Sequence, residues 1–395
     1  MRVLLAPDRF SGTLTAAEAA EAMRVGWAAG AAHDHVEVQP LSDGGSGLLD
    51  VLGPALGGEL LALTVRDPLG TPVPAAVLLV EGGRDGAGGA SAPGPTAYIE
   101  AAQAVGRHLV GDDHRTPGTL SSAGVGDLVD AALRAGARRI VVGIADTATH
   151  DAGAGLLAAL GAGAPERLGR GGLALEHVAP ADLAGLDDVV RRLAGIDLVV
   201  ASPHELPLLG LQGASAVEAE GRGATPEQAQ ALEATFGHLA AVVGRVRPAR
   251  TDLLSGRALR PEKAPGAGAG GGLGWALHVL GARFADGASL VADAVGLRDR
   301  VAACDLVVTG EGSYGWRSLR GRVVSQVAGL ALEAGVPCVV LAGQVTVGRR
   351  EAMAAGLSGT YAVVERPRDV PAALADPAGT LSARSARVAT TWSPG

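Results

Sequence analysis

Short, uninterrupted apolar runs recur along the chain, each leading into residues with helical spacing, and few folds accommodate that alternation. The first run, residues 3–6, precedes a segment in which Thr15 and Glu18 have capping-box spacing. There Ala16, Ala19, Ala20, Met23 and Trp27 share one face. Similar runs stand at residues 140–144, 198–201, 306–309, 338–342 and 361–364 and a partly polar one at 36–41, with helical stretches at 152–160 and 319–334. Strands that are apolar at every position belong in a parallel sheet covered on both faces, so the expected class is α/β. Residues 61–65, 75–80 and 96–101 are instead separated by turn residues, which predicts an antiparallel or mixed portion. Residues 82–95, rich in Gly, Pro and Ala, are expected to form a flexible surface loop; residues 372–388 have helical potential, and 381–395 are expected to end the chain as a polar tail.

Composition narrows the function. Hydrophobic residues make up 48% of the chain, aromatics only 3%, and there are 60 glycines, so the core must be built from Ala, Val and Leu packed closely. A net charge of -8 gives no general attraction for nucleic acid. Two cysteines, Cys304 and Cys338, make neither a disulfide framework nor a zinc site, and a reduced cytoplasm is expected. Residues 264–282, the longest uncharged run, are interrupted by glycines and His278, so no membrane span and no membrane partner are expected. Nor does the start of the chain read as a secretory leader. Lys263 is the only lysine, so arginines at positions that call for a cation reflect base composition as much as chemistry.

Ligands of open α/β sheets sit outside the carboxyl ends of the strands, and three strand exits here carry an acid. Residues 3–6 lead to Asp8, with Gly12 close behind. Residues 36–41 lead to Ser42-Asp43-Gly44-Gly45, and residues 306–309 to Gly310-Glu311-Gly312. Glycine lets backbone amides approach phosphate oxygens while a neighbouring carboxylate holds Mg²⁺. Any one of these acids reads equally well as a cap or turn former; three at equivalent exits point to a site. Asp151, after Thr147-Ala148-Thr149-His150, is either a metal ligand or base, or an ordinary helix cap. The glycine loop at 266–272 precedes an apolar segment and could present amides to a phosphate. Gly266, Gly268 and Gly271 fit G-x-G-x-x-G, but Pro265 precedes them in place of a strand, which leaves a nicotinamide oxidoreductase as a minor reading. Phosphate-binding G-x-x-x-x-G-K-[ST], H-E-x-x-H and G-x-S-x-G patterns are absent.

In these segments the chain resembles the bacterial type I glycerate kinase family, which transfers phosphate from ATP to D-glycerate. Ala6-Pro7-Asp8-Arg9-Phe10-Ser11-Gly12-Thr13-Leu14 resembles A-P-D-S-F-K-G-S-L, and Ser42-Asp43-Gly44-Gly45-Ser46-Gly47 resembles A-D-G-G-E-G. Residues 66–70, 143–155, 213–228, 265–274 and 309–328 resemble later blocks in the same order. The resemblance implies two unlike α/β domains with the active site in the cleft between them. One is a flavodoxin-like parallel domain of residues 1–65 and 285–380, the other an inserted domain of residues 66–284. It also implies ATP, Mg²⁺ and a small hydroxy acid as ligands, and it sets no oligomeric state. The implied catalytic residues are Asp8, Asp43, Asp151 and Glu311, with Asp43 and Glu311 on the metal. The implied substrate and nucleotide contacts are Ser11, Gly44, Gly45, Thr147, Thr149, Arg222, Gly266, Gly268, Gly270, Gly271, Gly310, Gly312, Arg320 and Arg322. Departures fall on polar positions: Ser11 replaces the lysine, Ser46 the glutamate, and Gly315 an aspartate of the family pattern. They motivate an alternative, a relative with weakened or lost catalysis that binds a metabolite or a partner.

Overall fold

The computed structural model describes residues 1–10, 12–82, 94–111, 116–248, 256 and 258–394. Its strands in chain order are β1 (Arg2–Pro7), β2 (His35–Val38), β3 (Glu59–Arg66), β4 (Pro72–Val80), β5 (Thr96–Glu100), β6 (Arg139–Gly143) and β7 (Asp197–Ser202). There follow β8 (Arg283–Asp286), β9 (Leu306–Gly310), β10 (Ser313–Tyr314), β11 (Cys338–Ala342), β12 (Gln344–Val345) and β13 (Gly359–Ala362). A five-stranded sheet runs β13-β11-β9-β1-β2 with every pairing parallel. A six-stranded sheet runs β3-β4-β5-β6-β7-β8, antiparallel in its first two pairings and parallel in the rest, as the change in sequence texture predicts. In the chain this second sheet lies between β2 and β9.

Burial on both faces explains why the central strands β1, β6, β7, β9 and β11 are so apolar. In β1, Val3 and Leu5 join Val308 and Leu341 under the helices Ala16–Gly30 and Pro377–Trp392, while Leu4 and Ala6 face the opposite way with Val307 and Val340. In the second sheet, Ile99, Ile140, Val142 and Val200 pack toward Val125, Leu128 and Phe236 of the outer helices. Tyr98, Val141 and Val199 point to the other side. There they meet Leu48, Leu52, Val291, Val324 and Val327, so helices from residues 48–56, 287–294 and 323–334 form one apolar layer shared by both sheets.

Three expectations change. β3 already pairs with β4 from Glu59, ahead of the boundary expected at residue 65, and the short strand β8 was not anticipated. The helical stretch expected at 372–388 falls in the helices Val370–Ala375 and Pro377–Trp392, and the second runs on to residue 392 where a tail was expected. Its apolar stripe is sparse because it seats on glycine: a side chain on Gly26 would stand 2.0 Å from the Ser382 carbonyl, and one on Gly30 2.2 Å from that of Ala386. Ser385 Oγ completes the contact by donating to the Met23 carbonyl at 2.7 Å. Residues 83–93 of the expected loop lie outside the described residues. Among the described residues, no helix is long and apolar enough to cross a membrane.

Gly26→Ala therefore overpacks this helix pair and is expected to cost about 1–3 kcal/mol in urea unfolding. Gly53→Ala, which meets open space within the helix Leu48–Leu56, is expected to be neutral or to stabilise by about 0.4–1 kcal/mol.

Candidate active site

The parallel sheet reverses its winding at β1, with β2 on one side and β9 on the other, which is where a ligand crevice forms in such sheets. The chain leaves β1 at Asp8, whose backbone N–H donates to the Gly310 carbonyl at 2.8 Å, so the Asp8 and Glu311 exits lie side by side. Thr309 Oγ1 donates to the Ala6 carbonyl at 2.8 Å and holds the same pair of strands together. The third acid arrives on the turn after β2. Asp43 Oδ1 accepts from the Gly45 N–H, and Ser42 Oγ from the Gly44 N–H, each at 3.2 Å. This turn is pressed against the other sheet: a side chain on Gly143, at the end of β6, would stand 2.3 Å from the Gly44 carbonyl. On its far side, one on Gly287 would stand 2.0 Å from the Asp43 carbonyl.

Asp8, Asp43 and Glu311 thus gather in one buried group with few cations. Burial, then the neighbouring Asp43 and Glu311, raises the Asp8 carboxyl well above the usual carboxylate range, against the pull of its bond from the Arg9 amide. Burial pushes Glu311 up to about 7, with Asp43 adding to the rise while Ser318 and Arg322 oppose it. Arg322 Nη1 donates to Asp43 Oδ2 at 3.1 Å. Two buried polar atoms here have no hydrogen-bond partner, Glu311 Oε1 and Arg322 Nε. Asp286, at the end of β8, borders the group: burial, then Asp43 and Glu205, raises its carboxyl, while Oδ1 caps the helix Gly287–Ala294 through the Ser289 N–H at 2.8 Å.

Other expected site residues lie elsewhere. Asp151 is completely buried, and its carboxylate accepts from Ser122 N and Ser122 Oγ, both at 2.8 Å, from Gly153 N at 3.0 Å and from Gly155 N at 3.1 Å. With four donors already on it, Asp151 is a cap that ties two helix starts together, and the structure does not join it to the other acids. Arg222 donates to the Thr147 carbonyl and Oγ1, both at 3.2 Å, and to Glu218 at 2.5 Å, forming a second polar group with the Gly271 N–H, which donates to Glu218 at 3.2 Å. Thr149 Oγ1 is buried beside it without a partner. In the glycine loop at 266–272, the Ala267, Gly268, Ala269, Gly271 and Gly272 amides already have acceptors. The loop is buried, and the Gly268 N–H donates to the Leu206 carbonyl at 2.8 Å. Side chains on Gly266 and Gly270 would meet Phe284 and the Ile144 carbonyl, so these glycines serve close packing. Arg320 is exposed and has no ion pair among the described residues. Ser11 lies outside the described residues.

Sequence reasoning missed four residues. Arg9 and Asp146 form an ion pair at the mouth of the acid group. His204 feels Arg322, Glu218 and Asp43, and so stands between the two polar groups; burial and then Arg322 lower its affinity for a proton. Glu100, at the end of β5, accepts from the Leu49 N–H at 3.4 Å at the start of the helix Leu48–Leu56. Burial pushes it up to about 7, while the amides of the helix start oppose the rise. For Arg9 and Asp146 the signal was their position immediately after a strand, beside residues already singled out.

Comparison with known proteins yields a match to the family described as "Glycerate kinase family" over residues 3–393. The glycerate kinase of Bacillus subtilis is 35% identical, covering 92% of this chain and 90% of its own. Glycerate 2-kinase of Escherichia coli K12 is 33% identical, covering 88% and 86%. An uncharacterized Mycobacterium bovis protein is 38% identical over 98% and 91%. A crystal structure described as a candidate glycerate kinase 2 of Salmonella typhimurium LT2 superposes with a TM-score of 0.74 at 32% identity, covering 99% of this chain and 98% of that one.

Glu100 makes stability depend on pH in a sense opposite to that of a salt-bridged acid. Its folded-state affinity for the proton is the higher one, so stability is greatest below about 4.5, declines as pH rises through the window up to about 7, and the whole cost persists above it. Glu100→Gln is expected to flatten that decline by about 3 kcal/mol between pH 4.5 and 7.5, measured by urea unfolding across the range.

Proposed function

This chain belongs to the glycerate kinase family, and on that premise we propose that it transfers the γ-phosphate of ATP to the 2-hydroxyl of D-glycerate in the cytoplasm. The observation that carries this reading is the meeting of Asp8, Asp43 and Glu311 from three separate chain segments beside Arg322.

The residues fit a magnesium nucleotide. An all-oxygen donor set suits a hard cation, and Glu311 Oε1 is a buried acceptor still lacking a partner. Among the described residues no three acid, imidazole or thiol side chains close a metal cage by themselves. That suits an ion which keeps several waters and is held by one or two carboxylates plus phosphate oxygens. Asp43 and Glu311 would hold it, and bound there it would neutralise charge on the transferring phosphate. Arg322, steered by Asp43 and with its Nε unpaired, is the cation poised to meet phosphate oxygens. Asp8, whose buried carboxyl holds a proton more tightly than an ordinary carboxylate, is the group suited to accept the proton of the substrate hydroxyl. Phosphoryl transfer depends mainly on positioning and charge stabilisation, so these few groups suffice in kind.

A coupled assay with ATP, Mg²⁺ and D-glycerate is expected to give 2-phosphoglycerate; no phosphorylated product at high enzyme concentration overturns the proposal. Asp43→Asn is expected to lower kcat at least about 10²-fold with the thermal midpoint changed by only a few degrees. Wild-type turnover in that variant would remove Asp43 from the mechanism.

A further inference from the structure

Beside Asp8 lies a cavity of about 370 Å³ lined in part by Arg9, Glu18, Ser46, Gly47 and Asp50. Arg9 is the one cation among its described lining residues, facing the acids Asp8, Glu18 and Asp50. A small anionic substrate entering here therefore has a single side chain with which to pair. That side chain is already taken: Arg9 Nη2 donates to Asp146 Oδ2, and the same oxygen accepts from the Ser46 backbone N–H at 3.1 Å. A guanidinium and a backbone amide converging on one carboxylate oxygen is how a protein binds a carboxylate ligand.

Asp146 is held there at a cost. Its backbone has φ 62°, the left-handed region that side chains other than glycine rarely enter. Its oxygen lies so close to the Asp43 turn that a side chain on Gly45 would stand 2.4 Å away. Asp146 follows β6 of one sheet and Arg9 follows β1 of the other, so the pair also bridges the two at the cavity mouth.

We propose that Arg9 and the Ser46 amide form the subsite for the carboxylate of the hydroxy-acid substrate, and that Asp146 occupies this subsite as an internal anion which the substrate must displace. The inference deepens the glycerate kinase reading and rests on it for the identity of the substrate. Asp146 is a specificity-determining residue on this account. It raises the Kd of every carboxylate by the reciprocal of the fraction of molecules in which Arg9 is free, and does nothing to a neutral polyol.

The test is calorimetric titration with D-glycerate alone and with glycerol as the neutral control. Needing neither nucleotide nor turnover, its outcome is separate from that of the kinase assay. Asp146→Asn is expected to bind D-glycerate about tenfold more tightly than wild type, with binding of glycerol unchanged. Asp146→Gly, which also relieves the left-handed backbone, must move in the same direction. Arg9→Gln added to Asp146→Asn is expected to erase the gain. The proposal is overturned if neither Asp146 variant binds D-glycerate more tightly than wild type, if glycerol gains equally, or if the gain survives loss of Arg9. Tighter binding that is confined to the carboxylate ligand and depends on Arg9 is an effect that a merely structural role for Asp146 would not produce.

Discussion

The Asp43 turn is fixed by backbone touching backbone. The Gly44 carbonyl fills the space a side chain on Gly143 would need, and the Asp43 carbonyl the space needed by one on Gly287. No side chain is long or rigid enough to replace such contacts, because any atom inserted between the two backbones would push the carboxylate away from Asp8 and Glu311. The same device seats the helix Pro377–Trp392 on Gly26 and Gly30. A chain with 60 glycines and 3% aromatic residues gives up large packing units and gains close approach, and the acid group is where that exchange matters for chemistry.

Close approach also concentrates like charge. Asp8 and Glu311 are both pushed toward holding their protons, and the nearby guanidiniums of Arg9 and Arg322 are shared with Asp146 and Asp43. Buried carboxylates with too few partners are costly for folding, and such groups collect where a protein binds charge. The unpaired Glu311 Oε1 and Arg322 Nε mark the two signs of that unfinished pairing, one acceptor and one donor within the same group.

Much of this was legible in sequence. Continuous apolar runs mark β1, β6, β7, β9 and β11, since alternate residues of strands such as β1 and β6 are buried on opposite faces. Acids at strand exits gave Asp8, Asp43 and Glu311. What failed did so for physical reasons. Asp151 sits before glycines at a helix start, a pattern that a cap and a metal ligand share, and only its four donors decide between them. At the glycines of 266–272, sequence does not distinguish a glycine exposing its amide from one admitting a neighbour such as Phe284. Arg9 and Asp146 meet across 137 residues, and no local pattern encodes that contact. The helix Pro377–Trp392 hides its docking face because glycine, not a broad apolar stripe, receives it.

The layer of helices shared by the two sheets has a mechanical corollary. Leu4 of one sheet and Val141 of the other belong to a single apolar cluster, with Leu48, Val291 and Val327 between them. Parting the sheets as rigid jaws would expose that layer to water at roughly 25 cal/mol for each Å² uncovered. Rotating an arginine and an aspartate at the rim uncovers almost nothing. The shared layer thus opposes parting of the two sheets, whereas the polar rim formed by Arg9 and Asp146 carries no such apolar cost.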